Sequence, residues 1–505
     1  MIIQSKRRIC IFFLCIPLLL SAFTHFWNPT GFPALYFDEG IYMRRAMHVL
    51  NYQGPQEELT FYDHPYFGQL FLSGVFQIIG YPALFITAAG GDLTHMIEML
   101  YFIPRVLMGT LAVVDTFLIY KISEYWYNRR IALISSVFFA AMPSTFILRW
   151  ILLDSIELTL FLLSLLFAIY ARNYENNHRN GNKISIITIL SSGIFMGLAI
   201  FTKVPAFTMI PVVIFANCKQ NHDRYTIRSL CLWFIPVILI PLIWPAYSIS
   251  VGTLNFFTNG ILWQTHRESQ PLFNSIYLFF ENDPILLVIG IAGIFFATIK
   301  KNFLPVLWAS PLMIFLYFIG YVSLYHLIPL IPSFCIAAGV LIEDLSNKIT
   351  IKEIQKIQFP FIITTVICMV GLFSSTMLVT TNVNFAYFKA AAFLVKYLED
   401  INERTIHNNN HNRVSVIGDA FYLWIPQYIF HLNHDYKIYY DKTPYKTERV
   451  LLIVDPGLIN AMSRNDLAAK QIQKIYYSTN KIKLVTFQQN ENKYDNISIY
   501  EYSRD

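Results

Sequence analysis

Long apolar runs separated by short, basic, polar loops fill most of the chain before about Val383. A helix needs about 20 apolar residues to cross a bilayer. Measured along the sequence, that length predicts eleven spans, near 9–27, 98–120, 131–148, 150–170, 184–202, 204–218, 229–250, 284–299, 303–322, 326–342 and 359–380. Two longer stretches, 28–97 and 252–283, interrupt the series. The first contains an amphipathic segment, Gly40 to Asn51, and an apolar one, Pro65 to Ile86, which the pattern lays along the interface rather than across it. Beyond Val383 the apolar runs shorten. Val414–Asp419, Val450–Asp455, Lys483–Phe487 and Ile497–Tyr502 read as strands, and Phe388–Asn402 and Arg464–Tyr477 as helices, with a polar loop at 408–412. The expected fold class is an α-helical polytopic membrane protein, residues 1–382, followed by a small extracytoplasmic α/β domain, residues 383–505.

Charge sets the expected orientation. Short loops rich in Lys and Arg stay on the cytoplasmic side. With the N-terminus inside, the inner loops hold Lys6, Arg7 and Arg8; Lys121, Arg129 and Arg130; Arg172, Arg179 and Lys183; Lys219, Arg224 and Arg228; Lys300 and Lys301; and Lys348, Lys352 and Lys356. If Pro65–Ile86 crossed, every later loop would invert and break this bias. An odd number of spans then places the C-terminal domain outside, in what is expected to be the plasma membrane. The start, Lys6-Arg7-Arg8 before an apolar run, looks like a signal peptide, but no small-residue cleavage site follows, so an uncleaved first helix is expected.

Composition agrees with the pattern: 55% of the 505 residues are hydrophobic and 14% charged, far more apolar surface than a soluble core would bury. The net charge of +6 is scattered over many loops, which argues against nucleic acid as a partner. The cysteines Cys10, Cys15, Cys218, Cys231, Cys335 and Cys368 show no CxxC or Cys/His ligand spacing. The C-terminal domain has no Gly-rich phosphate loop, so no nucleotide site is expected there. It carries one glycosylation triplet, Asn496-Ile497-Ser498.

Polar residues far apart in the chain gather at one predicted face. Asp38 and Glu39 follow the first span, Asp63 and His64 share its outer loop, and Arg105, Arg149, Lys203, Arg267 and Tyr325-His326 all sit at outer ends or loops. Charges at such positions are costly unless they have a task. Arg and Lys side chains bind a lipid-linked phosphate, and a carboxylate takes the proton of an acceptor hydroxyl. Together they describe sugar transfer from a lipid phosphate. A phosphate leaving group needs cations more than a protonating acid, so one carboxylate and several positive side chains suffice.

Plainer readings exist for each residue. Asp38 is suited to capping a helix that starts near Gly40. Arg149 and Lys203 are placed to snorkel to headgroups, His64 and His326 to act as interface histidines, and Asp154 and Glu157 to pair with an arginine. Asp115 lies nearer the inner leaflet, outside the site. A transporter or flippase of lipid-linked glycans is the alternative function, although no internal repeat is visible and the charges favour one face over the midplane. A non-catalytic glycan-lipid-binding scaffold is another.

The motifs Tyr36-Phe37-Asp38-Glu39, Tyr62-Asp63-His64-Pro65, Arg149-Trp150 with Asp154, Phe201-Thr202-Lys203-Val204-Pro205 and Tyr325-His326-Leu327-Ile328-Pro329 occur in this order. The set resembles the polyprenyl-phosphate-dependent GT-C glycosyltransferases, in particular the group of protein O-mannosyltransferases and lipid A aminoarabinose transferases, over roughly Ile9 to Glu343. The resemblance implies an inverting transferase with a sugar, mannose among the candidates, carried on dolichyl or another polyprenyl phosphate, and a protein, lipid or glycan acceptor. It implies Asp38 as general base, with Glu39 supporting it or the acceptor. Arg105, Arg149 and Lys203, with Arg267 and His326 as further candidates, would hold the donor phosphate. Asp63, His64 and Tyr325 would contact substrate. No cofactor is implied, and a divalent ion between Asp38 and Asp63 is not favoured. The chain departs from the family's His-Pro-Pro-like motif by having Tyr66 after Pro65, and its C-terminal domain lacks the pattern of β-trefoil repeats.

Overall fold

A computed structural model of the chain describes residues 2–55, 64–88, 90–177, 182–218, 223–267, 270–348, 353–408, 413–441, 447–464, 466–488 and 496–503. Asp63, the rest of the motif before His64 and the expected loop at 409–412 lie outside the described residues.

In chain order the helices are α1 (Ile2–Phe26), α2 (Phe37–Leu50), α3 (Phe67–Ile78), α4 (Ala83–Ala88), α5 (Leu93–Trp126), α6 (Arg129–Ala141), α7 (Leu153–Asn177) and α8 (Asn182–Thr202). They continue as α9 (Ile210–Asn217), α10 (Asp223–Leu239), α11 (Ile243–Ser250), α12 (Leu254–Thr265), α13 (Leu272–Asn282), α14 (Pro284–Ile299), α15 (Leu304–Ile319), α16 (Ile331–Lys348), α17 (Glu353–Val379) and α18 (Phe385–Asn408). The short α19 (Ala420–Trp424), α20 (Pro456–Met462) and α21 (Leu467–Tyr476) lie among the strands β1 (Val414–Gly418), β2 (Asp435–Ile438), β3 (Arg449–Val454), β4 (Lys481–Phe487) and β5 (Ile497–Ser503).

Every apolar run read as a span falls on a helix or a broken pair of helices. Among the described residues five helices are long and apolar enough to cross a membrane unaided, and two bent pairs raise that number to seven. The chain is a multi-pass membrane protein. The breaks have local causes. α6 turns by 67° into a 3₁₀ turn at Pro143, and α13 and α14 meet at 116° where Asp283 caps α14 through the Leu286 amide and Pro284 opens the new helix. Pro65–Ile86 forms no span: α3 has 12 residues, about 18 Å of helix, and α4 follows after a turn.

The chain divides into two compact units. The first comprises Met1–Trp27, Glu58–Gly68 and Val106–Val379. Its α7 and α8 are joined by reciprocal bonds, Ser164 Oγ to the Ser192 carbonyl and Ser192 Oγ to the Ser164 carbonyl, each 2.8 Å, while the Trp233 indole of α10 donates to Ser192 Oγ at 3.0 Å. Gly193 and Gly197, one turn apart on α8, let α10 approach so closely that a Cβ at either would lie 2.4 to 2.5 Å from a carbonyl oxygen of Trp233 or Pro236. Large apolar side chains such as Ile238, Phe295, Phe318 and Phe361 remain exposed, as a lipid-facing surface requires.

The second unit comprises Asn28–Glu57, Gln69–Arg105 and Thr380–Asp505, so segments of the first outer stretch fold with the C-terminal region. Asn384 ties them: its amide nitrogen donates to the Thr30 and Pro33 carbonyls at 2.7 and 2.8 Å and its Oδ1 accepts from the Leu35 amide at 2.9 Å. Gly40 of α2 abuts α19, where a Cβ would fall 2.2 Å from the Phe421 nitrogen. Tyr101 donates to the Phe421 carbonyl and accepts from the Trp424 indole, both at 2.7 Å. The sheet order is β2-β1-β3-β5-β4, with β2, β1 and β3 parallel and β5 antiparallel to both β3 and β4. The α/β reading of the tail therefore holds. The sequence pattern overlooks β2, α19 and α20, and what it takes as one helix from Arg464 begins at Leu467 after an Asp466 cap.

Candidate functional site

The expected site residues form two clusters, one in each unit. In the second unit α2 starts at Phe37 with Tyr36 as its N-cap, which makes Asp38 and Glu39 its second and third residues. Asp38 is therefore not the N-cap. Glu39 takes the reciprocal capping role, its carboxylate accepting the Tyr36 amide at 2.9 Å. The same carboxylate receives two bonds from Arg105, from Nε at 2.9 Å and Nη2 at 2.7 Å, and Arg105 Nη1 donates to the Pro29 and Pro33 carbonyls at 3.0 and 2.9 Å. Both side chains are fully buried. This geometry gives Arg105 and Glu39 a common structural duty, holding the loop before α2 against α5. Asp38 is partly exposed, beside a fixed neighbour.

The first unit gathers the cations. Lys203 ends α8, where Pro205 and the following 3₁₀ turn Val204–Met209 stop the helix. Its ammonium donates to Asp154 Oδ1 at 2.7 Å and lies 4.8 Å from the centre of the Tyr325 ring. The carboxylate partner foreseen for an arginine thus serves Lys203, and Glu157 is buried one turn beyond it. Among the described residues Asp154 Oδ2 has no hydrogen-bond partner, and it is shut off from solvent. His326 sits in the combined field of Lys203, Arg267 and His64. Its Nδ1 accepts the Ser323 amide at 2.9 Å, which puts the proton of the neutral ring on Nε2 and leaves that nitrogen a donor. The Arg267 guanidinium is stacked 3.9 Å from the Tyr321 ring centre and 4.6 Å from that of Trp263.

The segment after His64 is anchored beside these groups. A Cβ at Gly68 would lie 2.4 Å from Leu153 Cδ2 and 3.2 Å from the Thr202 methyl, so α3 begins against the ends of α7 and α8. Tyr66, which departs from the family motif, packs on Phe201 at 4.9 Å and Tyr247 at 5.5 Å. Burial, with Tyr247 adding, pushes its phenol up to about 12, so it stays protonated. Arg149 is buried and donates from Nη2 to the Trp27 carbonyl at 2.6 Å. Beside Lys203 an apolar groove of about 380 Å³ runs between α8, α10 and α11, lined by Ile200, Val204, Val237, Ile238, Leu242 and Trp244 among others. Among the described residues no group of three or more His, Cys, Asp or Glu side chains is placed to hold a metal ion.

The roles of Ser323 and Tyr321 escaped the sequence reading. A helical start at Ser323 with His326 at its third position was the available signal.

Residues 14–246 match the model of the dolichyl-phosphate-mannose-protein mannosyltransferase family. The chain is similar to the archaeal oligosaccharyltransferase AglB from Archaeoglobus fulgidus in complex with an inhibitory peptide and a dolichol-phosphate: 13% identity, 99% of this chain and 74% of that one, TM-score 0.59. It is similar to ArnT from Cupriavidus metallidurans bound to undecaprenyl phosphate: 14% identity, 97% of each chain, TM-score 0.56. The fold is that of the GT-C glycosyltransferases. The apo form of the Archaeoglobus fulgidus oligosaccharyltransferase superposes with a TM-score of 0.60 at 14% identity over 92% of this chain and 72% of that one. No curated protein matches the chain by sequence.

Proposed function

We propose that the protein is an inverting glycosyltransferase. It moves a sugar, mannose being the first to test, from a dolichyl or other polyprenyl phosphate to a hydroxyl of a protein, lipid or glycan on the extracytoplasmic side. The single observation carrying this reading is the cluster of Lys203, Arg267, His64 and His326 beside an apolar groove. A phosphate needs donors and positive charge, and its isoprenoid tail needs a dry trough. The GT-C relatives whose structures hold dolichol-phosphate and undecaprenyl phosphate support the donor class.

In this reading Lys203 and Arg267 neutralise the donor phosphate and the His326 Nε2–H donates to one of its oxygens. The acceptor oxygen forms a bond to the anomeric carbon while the bond from that carbon to the phosphate oxygen breaks, and the electron pair leaves with the phosphate. The acceptor proton passes to Asp38, which later yields it to water. Cations that meet the leaving phosphate more strongly as its charge grows lower the barrier.

The test is turnover of purified protein in lipid with a panel of polyprenyl-phosphate sugars, read by mass spectrometry. Asp38→Asn is expected to lower kcat by about 10²- to 10⁴-fold, the range of general-base catalysis, with donor binding kept. Unchanged kcat in that variant refutes the base assignment, and absence of product across the panel refutes transfer.

A further inference from the structure

A second cavity, of about 410 Å³, opens at the end of α7 away from Asp154, the carboxylate partner of Lys203. It is lined by Trp126 and Tyr127 after α5, Arg172 of α7, Phe215 and Cys218 at the end of α9, and Lys301 to Phe303 between α14 and α15. Arg172 follows Asp154 by 18 residues on one helix, which is about 27 Å, close to the thickness of a bilayer's hydrocarbon core. The cavity therefore lies at the level of the opposite headgroup layer from Lys203.

Charge at this end is distributed unevenly. Lys121 and Arg129 pair with Glu124, Arg130 with Glu343, and Lys300 and Lys348 with Asp344. The two cations that line the cavity have no such partner among the described residues. Arg172 instead presents its guanidinium face to the Trp126 ring, 4.9 Å away, which leaves the N–H edge of the fork for an anion. Asn302 accepts the Tyr127 hydroxyl at 3.1 Å through Oδ1, so its amide hydrogens remain donors.

The backbone at Lys301 adds an independent observation. Its φ is +60°, at the end of α14, where the Lys301 amide bonds to the Thr298 carbonyl and the Asn302 amide to the Ala297 carbonyl, each 2.9 Å. This left-handed closing position ordinarily belongs to glycine, because a Cβ there crowds the backbone. A lysine held at that position places a charge at the cavity mouth at a conformational cost.

We infer that this cavity is a binding site for the phosphate of an anionic lipid headgroup, gripped by Arg172 and Lys301, with Asn302 donating and Trp126 holding the arginine. Its volume is within the range of small-ligand sites, and basic pockets between membrane helices are suited to such headgroups. The site is separate from the proposed donor site and does not depend on the transfer reaction.

The experiment is native mass spectrometry of the detergent-purified full-length chain, titrated with phosphatidylglycerol, phosphatidylcholine or inorganic phosphate. Wild type is expected to retain phosphatidylglycerol in preference to phosphatidylcholine. The double variant Arg172→Gln, Lys301→Gly should lose that adduct by about tenfold or more, the effect of removing two phosphate-facing cations. Lys301→Gly suits the left-handed backbone, so the variant keeps its fold, which its melting temperature verifies. Arg129→Gln, which removes a paired cation at the same end, should leave the adduct unchanged. Retention by the double variant, equal loss in Arg129→Gln, or displacement of the lipid by equimolar inorganic phosphate would overturn the assignment.

Discussion

Glu39 and Arg105 are locked together by two parallel N–H···O bonds of 2.9 and 2.7 Å with both side chains removed from solvent. The pair spans 66 residues and sits one position from the proposed base. Removing one partner of such a pair strands the other's charge, a loss of roughly 3–5 kcal/mol. Glu39→Ala or Arg105→Ala should each lower the melting temperature markedly, and the double variant should lose much less than the sum. Arg105→Lys is also expected to destabilise, because an ammonium cannot reproduce the fork or the bonds to Pro29 and Pro33. Additive losses in thermal unfolding would remove the coupled role.

Lys203 holds one bond to Asp154 and has further hydrogens to give. A charge-assisted hydrogen bond is worth about 1.5–3 kcal/mol, so Lys203→Met should raise donor KM by roughly 10- to 100-fold. Asp154→Asn keeps the shape but releases the ammonium from its orienting partner. It should act on donor KM in the same direction and more weakly. Donor titrations of sugar transfer check both, and an unaltered KM in Lys203→Met would remove the phosphate role.

Asp419 and Asp455 follow the parallel strands β1 and β3 and cap the short helices after them, with the Tyr439 hydroxyl donating to Asp419 at 3.1 Å. Burial pushes Asp455 up to about 6 and raises Asp419 as well, the charge of Asp455 adding to the latter. The folded form thus binds these protons more tightly than the unfolded form. Stability is greatest below the ordinary carboxylate range and falls as pH rises from about 4 through about 6, by on the order of 3 kcal/mol for Asp455 alone. Asp455→Asn retains the cap to Leu458, so it should flatten this slope and raise the melting temperature at neutral pH. Scanning unfolding between pH 4 and 8 measures both.

The helices beneath the apolar runs, the change of character near Val383 and most strands were legible because hydropathy and alternation are local. That Lys203, His326 and Arg267 are neighbours was legible because all three stand at helix ends or in loops assigned to one face. The ion pair of Arg105 was not legible, for the converse reason: its partner Glu39 lies far away in sequence, and only the folded loop brings the carbonyls of Pro29 and Pro33 to it. β2 escaped because its four residues, with Asp435 and Lys437 alternating, carry no apolar run, and its place beside β1 depends on pairing alone. The role of Ser323 escaped because it acts through its backbone amide, and the helical start three residues before His326 was the one sign of it.

Gly193 and Gly197 act as a caliper. Because Ile200 lies on the same helix and Val237 and Ile238 on the one pressed against it, the missing methyl groups fix the gap between the trough's walls. Adding even one carbon there would pry the walls apart and change the girth of hydrocarbon they can clasp.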